Sequence, residues 1–230
     1  MPTMTLYSGP LSMYGAKAQI AALEKGFAFE LVMVPFTDDH RYEPKHPEVL
    51  RVNPKRQVPV LIHGEVELFD STQIFEYFED LQPQPLLWPA PAVKRAQGRL
   101  LELKSDEVFF PHIIRLMGLQ DRLDEPSAQE AIARANDYYA QMDALLADRD
   151  CLAGDYSYAD IAFFMAQLFA ARLGAPMGDA TPRLIAWRAR VATRPAVLPV
   201  VRQFAQTLTR MGRPIPGFMG DALALEVETR

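Results

Sequence analysis

Residues 58–81, VPVLIHGEVELFDSTQIFEYFEDL, predict two short strands followed directly by a helix. Two apolar runs flank a turn at Gly64, and this arrangement is typical of a β-hairpin. Ile74, Phe78 and Leu81 then recur at the spacing of one face of a helix. A β-β-α sequence of this kind ends a small α/β unit, so the residues that precede it decide the fold.

Those preceding residues alternate between strand and helix. Apolar periodicity predicts a strand over residues 5–8, a helix that ends at Gly26, and a strand over residues 27–34. Residues 35–57 are polar and contain prolines, and they predict an irregular connection. Residues 1–82 therefore predict a βαβ-ββα, thioredoxin-like domain, in which a mixed sheet carries helices on its faces.

The second half of the chain predicts helices alone. Four prolines in residues 82–91 indicate a linker, which we place at 83–91. Helices are predicted near residues 93–120, 126–148, 158–174, 182–192 and 196–210. The predicted fold class is thus α/β plus all-α, with an all-helical domain over residues 92–230 and an irregular tail after Gly212.

Composition excludes several classes of function. A net charge of −5 argues against general binding of nucleic acid. No uncharged apolar run reaches the ~18 residues of a membrane-spanning helix. The single cysteine, Cys151, precludes a disulfide within the chain and favours a cytoplasmic location. The four histidines show no metal-binding spacing, so we expect no metal.

Arginines are concentrated in the last third of the chain. Between Ile161 and Gly220 there is one acidic residue, Asp179, against eight arginines. The eight are Arg172, Arg183, Arg188, Arg190, Arg194, Arg202, Arg210 and Arg213. Two interpretations are open: a solvated helix face whose arginine stems cover apolar surface, or a positive wall that attracts anionic ligands.

Several segments, taken in order, resemble one known family. They are GPLSMYGAK (9–17), EKGFAFELVMV (24–34), HPEVLRVNPKRQVPVL (46–61), LFDSTQIFEYFED (68–80) and SYADIAFF (157–164). The chain resembles the serine-dependent phi, tau, zeta and theta classes of cytosolic glutathione transferases. It departs from their pattern at Arg56, where many members have glycine, and at Asp70, where glutamate or glutamine is commoner.

The resemblance implies that Ser12 is the catalytic residue. Ser12 follows the Gly9-Pro10 break and precedes a helix, so its hydroxyl and the helix dipole can both stabilise a thiolate. Ser8 and Tyr7 are competing hydroxyls in the same segment. A purely structural role for Ser12, as the cap of the helix, is the other alternative.

The resemblance also implies glutathione as co-substrate and assigns its binding residues. These are Lys45, Gln57, Val58, Pro59, Asp70 and Ser71. Asp70 is assigned to the ligand ammonium, Ser71 and the helix N-terminus to the glutamyl carboxylate, and the backbone of Val58, before a cis proline, to the cysteinyl unit. Lys45 is assigned to the glycyl carboxylate, with His40 as a weaker candidate. The expected walls of the electrophile pocket are Met13, Tyr14, Phe110, Ile113 and Met117.

The function implied by the resemblance is conjugation of glutathione to small apolar electrophiles, as in detoxification. A glutathione-dependent isomerase or dehalogenase that uses the same site is an alternative, and so is a non-catalytic relative that binds partner proteins. A homodimer is expected from the resemblance and because the apolar residues around Phe69–Phe78 exceed the needs of one core.

Overall fold

The computed structural model describes residues 3–224. The elements of its first half are β1 (Met4–Ser8), α1 (Met13–Glu24), β2 (Glu30–Met33), α2 (Pro47–Val52), β3 (Val60–His63), β4 (Val66–Phe69) and α3 (Ser71–Leu81). The four described strands form a mixed sheet in the order β2-β1-β3-β4, in which β1 is parallel to β2 and antiparallel to β3. β3 and β4 form the expected hairpin, so the predicted thioredoxin-like arrangement is confirmed.

The second half is helical, as predicted. Its elements are α4 (Ala92–Lys104), a π-helical segment (Ser105–Phe109), α5 (Phe110–Met117), α6 (Pro126–Leu145), α7 (Tyr158–Arg172), α8 (Pro182–Ala192), α9 (Leu198–Arg210) and α10 (Gly217–Ala224). The helix predicted over 93–120 is therefore divided by the π-helical segment. The prediction of an irregular tail is wrong, because α10 lies there; residues 225–230 are outside the described range.

The connection over residues 35–57 is not irregular throughout, because it contains α2. His46 caps this helix, since its Nδ1 atom accepts a hydrogen bond from the Glu48 N–H at 3.2 Å. Pro47 occupies the first turn, where its missing N–H costs nothing. α2 has six residues, and so short a helix has too few turns to produce an apolar period.

α7 forms the centre of the core. Its residues from Tyr158 to Ala170 are all buried, and the helix packs against both α1 and α4. Asp160, in its first turn, accepts hydrogen bonds from the Ser157 N–H and from the indole N–H of Trp187, at 2.9 and 2.8 Å. Helices from both halves of the chain thus pack on one central helix.

The proline-rich connection between the halves is fixed at its beginning. The buried Lys25 donates hydrogen bonds to the carbonyl oxygens of Gln82 and Pro85, at 2.9 and 2.7 Å, and pairs with Glu79 at 2.5 Å. The connection is therefore held against α1 and α3 and is not a free tether.

The apolar residues of α3 do not provide the surplus that the sequence suggested. Phe75 and Phe78 are completely buried within this chain, and Phe75 stacks on Tyr158 with ring centroids 4.3 Å apart. Leu81, at the end of α3, is 45% exposed, and α4 carries Val93 and Leu100, which are 72% and 49% exposed. No helix within residues 3–224 is long and apolar enough to span a membrane.

Candidate functional site

Ser12 lies at the N-cap of α1, beside the end of β1. Its Oγ atom accepts a hydrogen bond from the Gly15 N–H at 3.0 Å, and its own N–H donates to the Gly9 carbonyl at 3.0 Å. Since the oxygen accepts the capping bond, the hydroxyl hydrogen can still donate to a ligand. Ser12 is therefore both a helix cap and a hydrogen-bond donor at the positive end of α1.

The two competing hydroxyls are placed differently. Ser8 is completely buried, and none of the three cavities described below has Ser8 in its wall. A Cβ atom at Gly15 would come within 2.2 Å of the Ser8 Oγ atom, so the start of α1 packs directly on this serine. The Tyr7 ring packs against His46, with centroids 4.9 Å apart, and is likewise absent from the walls of those cavities.

A cavity of about 430 Å³, here named the acidic cavity, lies between α3 and α4. Its polar walls include Asp70, Ser71, Glu76, Glu102, Asp106 and Glu107. Carboxylates outnumber the basic residues of its wall, Lys55 and Arg99, so the cavity favours a cationic group.

Asp70 caps α3 in an unusual backbone conformation. Its φ of 76° lies in a region that costs a residue with a Cβ about 1–3 kcal/mol. Its Oδ1 atom accepts from the N–H groups of Thr72 and Gln73, at 3.0 and 3.4 Å. Oδ1 is thus used for capping, and Oδ2 is the atom that can face a ligand. The same bonds occupy two of the N–H groups that the sequence assigns to a ligand carboxylate, leaving the N–H and hydroxyl of Ser71 for that role.

A buried ion cluster joins α1 to the second half of the chain behind this cavity. The Lys17 ammonium is fully buried and lies 3.0 Å from Glu102 Oε1 and 2.5 Å from Asp106 Oδ2. Thr72 donates a further hydrogen bond to Glu102 at 3.0 Å. Burial raises the pKa of Asp106 to about 6, because desolvation outweighs the attraction of Lys17.

A second cavity of about 350 Å³, here named the apolar cavity, has Ser12 in its wall. Its apolar walls are Leu11, Met13, Tyr14, Val34, Val49, Phe110, Ile114, Met117 and Phe169. Tyr14, Gln57 and Val58 line both this cavity and the acidic one, so the two are contiguous. A ligand can extend from Asp70 past Val58 to Ser12.

Four of the five residues predicted to form the electrophile pocket, namely Met13, Tyr14, Phe110 and Met117, line the apolar cavity. The prediction for Ile113 is wrong, because Ile113 is completely buried and Ile114 lines the cavity in its place. Both positions fit the helical spacing of Phe110 and Met117, and the packing of α5 turns Ile113 toward the core and Ile114 toward the cavity.

The residues assigned to the peptide part of the ligand also lie here. The Val58-Pro59 bond is cis, as the resemblance implies. Lys45 and Gln57 line the apolar cavity, and the Lys45 ammonium lies 3.3 Å from Glu43. His40 is exposed and is absent from the walls of both cavities.

A third cavity, of about 470 Å³, adjoins the apolar cavity on the side away from Asp70 and is here named the arginine cavity. Its charged walls are Asp38, Arg41, Arg172 and Arg213. Arg213 pairs with Asp38. The other walls include Phe36, Tyr42 and Phe169, so this cavity combines positive charge with aromatic surface.

Residues 3–224 contain neither a candidate metal site nor an activated cysteine. No group of three or more His, Cys, Asp or Glu side chains in this range is placed to hold a metal ion. The thiol of Cys151 is half-buried, and burial raises its pKa to about 12, so it is protonated at neutral pH.

Sequence reasoning missed several residues of the site. Ile114 has a helical spacing to Phe110 and Met117, but so has Ile113, and spacing alone could not choose between them. Arg172 lies in the arginine-rich segment, but no feature of the sequence distinguished it from the other arginines there. The contact of Lys17 with Asp106 joins residues 89 positions apart, so no local pattern could have revealed it.

Comparison with known proteins gives a consistent result for both halves of the chain. Residues 6–86 match the glutathione S-transferase N-terminal domain, and residues 106–195 match the glutathione S-transferase C-terminal domain. Glutathione S-transferase F10 of Arabidopsis thaliana is 30% identical over 84% of this chain and 94% of its own length. A stringent starvation protein A homolog of Coxiella burnetii is 33% identical over 46% of this chain, and the match spans about half (48%) of that relative.

Solved structures show the same similarity. A glutathione S-transferase from Rhodospirillum rubrum F11 superimposes with a TM-score of 0.81 and 26% identity, covering 96% of this chain and 99% of that one. The beta-etherase LigF from Sphingobium sp. strain SYK-6 gives a TM-score of 0.72 and 27% identity, covering 86% of this chain and 98% of that one.

Proposed function

Since the chain belongs to the glutathione S-transferase family, we propose that it binds glutathione and transfers the tripeptide's thiolate to a small apolar electrophile. The observation that carries the proposal is the position of Ser12. Its hydroxyl lies at the N-terminus of α1 and in the wall of the apolar cavity, which is contiguous with the acidic cavity.

Glutathione would lie along the two contiguous cavities. Its ammonium would face Asp70 and Asp106 in the acidic cavity, and its glutamyl carboxylate would meet the hydroxyl and N–H of Ser71. The central peptide unit would pair with the backbone of Val58 in the manner of an added strand. Lys45 lines the apolar cavity and would meet the glycyl carboxylate.

This placement brings the thiol to Ser12. The chain's role in the reaction is to favour the thiolate, by donating the Ser12 hydroxyl and by the dipole of α1. The thiolate then forms a C–S bond with the electrophilic carbon, and the leaving group departs with its electron pair. The apolar walls, such as Met13 and Phe110, hold the electrophile and exclude water from the reacting atoms.

The test of this proposal is direct binding followed by turnover. Calorimetry with glutathione should give a measurable dissociation constant, and a thiolate absorbance should appear on binding at pH 7. Conjugation assays with aryl halides and isothiocyanates should then show turnover with at least one class. A protein that does not bind glutathione, or that binds it without forming a thiolate, contradicts the proposal.

A second candidate function is glutathione-dependent cleavage of an ether. It is favoured by the similarity to the beta-etherase LigF over 86% of this chain. Isomerase and dehalogenase reactions use the same thiolate, and assays with an aryl ether, maleylacetone and a haloacid separate these reactions by their products. A non-catalytic, partner-binding role is disfavoured because Ser12, Asp70 and Ser71 remain in the cavity walls.

We also propose that the protein is a homodimer built on α4. Val93, Leu100 and Leu103 are exposed along this helix, and Leu81 and Leu86 are exposed close to it in sequence. An apolar surface of this kind is commonly covered by another protein surface. A cytoplasmic location and a division into domains at residues 83–91 complete the proposal.

A further inference from the structure

The arginine cavity continues the apolar cavity beyond the reacting atoms. Both are lined by Leu11, Arg41, Tyr42, Met117 and Phe169, so the two cavities are adjacent. A ligand whose reactive carbon lies near Ser12 can therefore extend past Phe169 toward Arg172.

Arg172 is the last residue of α7, and its guanidinium lies 5.1 Å from the ring centroid of Phe169, one turn earlier. Its Nη1 atom is buried and has no hydrogen-bond partner within the described part of the chain. Burying a charged donor without a partner is costly, so such groups are ordinarily paired. Arg172 also lines the arginine cavity, so a ligand acceptor bound there lies within reach of its side chain.

The groups around Arg172 do not neutralise its charge. Asp38 is already paired with Arg213, and Arg213 itself repels Arg172. Burial raises the pKa of Tyr42 to about 12, and its oxygen accepts the Leu11 N–H at 3.3 Å, so this phenol is neutral at pH 7. Desolvation lowers the pKa of Arg172 to about 10, which still leaves it protonated.

Other arginines of the same segment are accounted for by structural partners. Arg183 pairs with Asp143 at 3.1 Å, and Arg194 pairs with Glu24 at 2.7 Å. These pairs agree with the first of the two interpretations of the arginine-rich segment. Arg172 differs because it lacks such a partner within residues 3–224 and faces a cavity, which favours the second interpretation there.

We infer that the electrophile of this enzyme carries a carboxylate on an apolar, aromatic body, and that Arg172 receives the carboxylate while Phe169 and Met117 contact the body. The planar guanidinium matches a carboxylate with two parallel hydrogen bonds. Naming the carboxylate-bearing ligand as the electrophile rests on the proposed transferase function, whereas the existence of the carboxylate site does not.

The first experiment measures binding without chemistry. Calorimetry compares phenylbutyrate with its neutral amide, phenylbutyramide, in the presence and absence of saturating S-methylglutathione. The acid should bind at least about tenfold more tightly than the amide, because a charge-assisted bond is gained. Arg172→Met should abolish this preference, Arg172→Lys should keep most of it, and Arg134→Met, at an exposed arginine of α6, should leave it unchanged.

The second experiment measures turnover with a matched pair of electrophiles, chlorodinitrobenzoate and chlorodinitrobenzamide. In both, the thiolate forms a C–S bond at the carbon that bears chlorine, and chloride leaves with the electron pair. The ratio of kcat/KM for acid to amide, corrected for the uncatalysed rates, should fall at least about tenfold in Arg172→Met, mainly through KM.

The outcomes separate this inference from the proposed function. Selective binding of phenylbutyrate without any conjugation would contradict the transferase function and support the carboxylate site. Conjugation with equal binding of acid and amide would overturn the inference. Displacement of phenylbutyrate by S-methylglutathione would also overturn it, because Arg172 would then serve the tripeptide. If Arg172→Met melts at a much lower temperature, Arg172→Gln, which keeps a polar side chain without the charge, replaces it, and an unchanged preference for the acid in that variant overturns the inference.

Discussion

Replacing Ser12 with alanine should separate the two roles that its hydroxyl combines. The oxygen accepts the Gly15 N–H at 3.0 Å as a helix cap, and the hydrogen is free to donate to the thiolate of glutathione. Ser12→Ala removes both interactions. We expect a small loss of stability together with a large loss of activity.

The structural cost can be worked out from the cap. Loss of a serine N-cap destabilises a protein by about 1 kcal/mol. In a domain of this size that corresponds to a fall in Tm of roughly 2–4 °C.

The catalytic cost follows from the pKa of the thiol. A free thiol has a pKa of about 8.5, and lowering it to ~6.5 requires about 2.7 kcal/mol of preferential thiolate stabilisation. A hydrogen bond to a charged group supplies about 1.5–3 kcal/mol. Ser12→Ala should therefore raise the pKa of bound glutathione by about 1–2 units, since one unit is 1.36 kcal/mol. At pH 7 the thiolate fraction, and with it kcat for a conjugation substrate, should fall roughly three- to twenty-five-fold.

Three matched variants distinguish these effects. Ser12→Gly lacks the hydroxyl but loses only a few tenths of a kcal/mol of capping, so it should lower kcat as much as Ser12→Ala with a smaller change in Tm. Ser12→Thr should retain activity. Ser157→Ala removes a serine cap from α7, remote from the cavity walls, and should lower Tm without changing the thiol pKa. The assays are titration of the thiolate absorbance and steady-state kinetics. An unchanged thiol pKa in Ser12→Ala and Ser12→Gly would refute the assignment.

Further predictions concern glutathione affinity and assembly. Asp70→Asn keeps the capping oxygen and removes the charge. Calorimetry should therefore show a dissociation constant for glutathione that is roughly ten- to hundredfold larger, with little change in Tm. The pKa of Asp106 is raised to about 6, so this carboxyl is charged above that pH and neutral below it. Glutathione affinity should therefore fall as the pH drops through about 6, and Asp106→Asn should flatten the profile; a profile unchanged by the substitution would contradict the placement of the ammonium. Leu100→Glu should convert a dimer to a monomer in light scattering, whereas Leu50→Glu, at an exposed leucine of α2, should leave the dimer intact.

Local patterns were sufficient for the sheet and for most helices. The hairpin around Gly64 and the helix after Asp70 combine turn residues with clear apolar periods, so element type followed from the sequence alone. The helix over Pro47–Val52 and the helix over Gly217–Ala224 are too short for such periods to emerge.

The sequence predicted the place of some cavity residues in the fold, whereas their roles in binding and catalysis stay predictions. Ser12, Asp70 and Val58 each follow or precede an element boundary that the sequence marks. Ile113 and Ile114 both fit the helical spacing of Phe110 and Met117, and only the tertiary packing decides that Ile114 lines the cavity. Arg172 lacks an ion-pair partner because the nearby carboxylates pair with other arginines. Only the tertiary fold determines which arginine each carboxylate meets.

The ion cluster of Lys17 also constrains how this protein could have been assembled by recombination. Lys17 belongs to the first half of the chain, and its partners Glu102 and Asp106 belong to the second. A chimera that joins either half to a relative lacking the matching residues would bury a charge without its partner, at a cost of about 3–5 kcal/mol. That is a large share of the roughly 5–15 kcal/mol that stabilises a typical domain. Exchange of one half between relatives should therefore succeed only when lysine and carboxylates are inherited together.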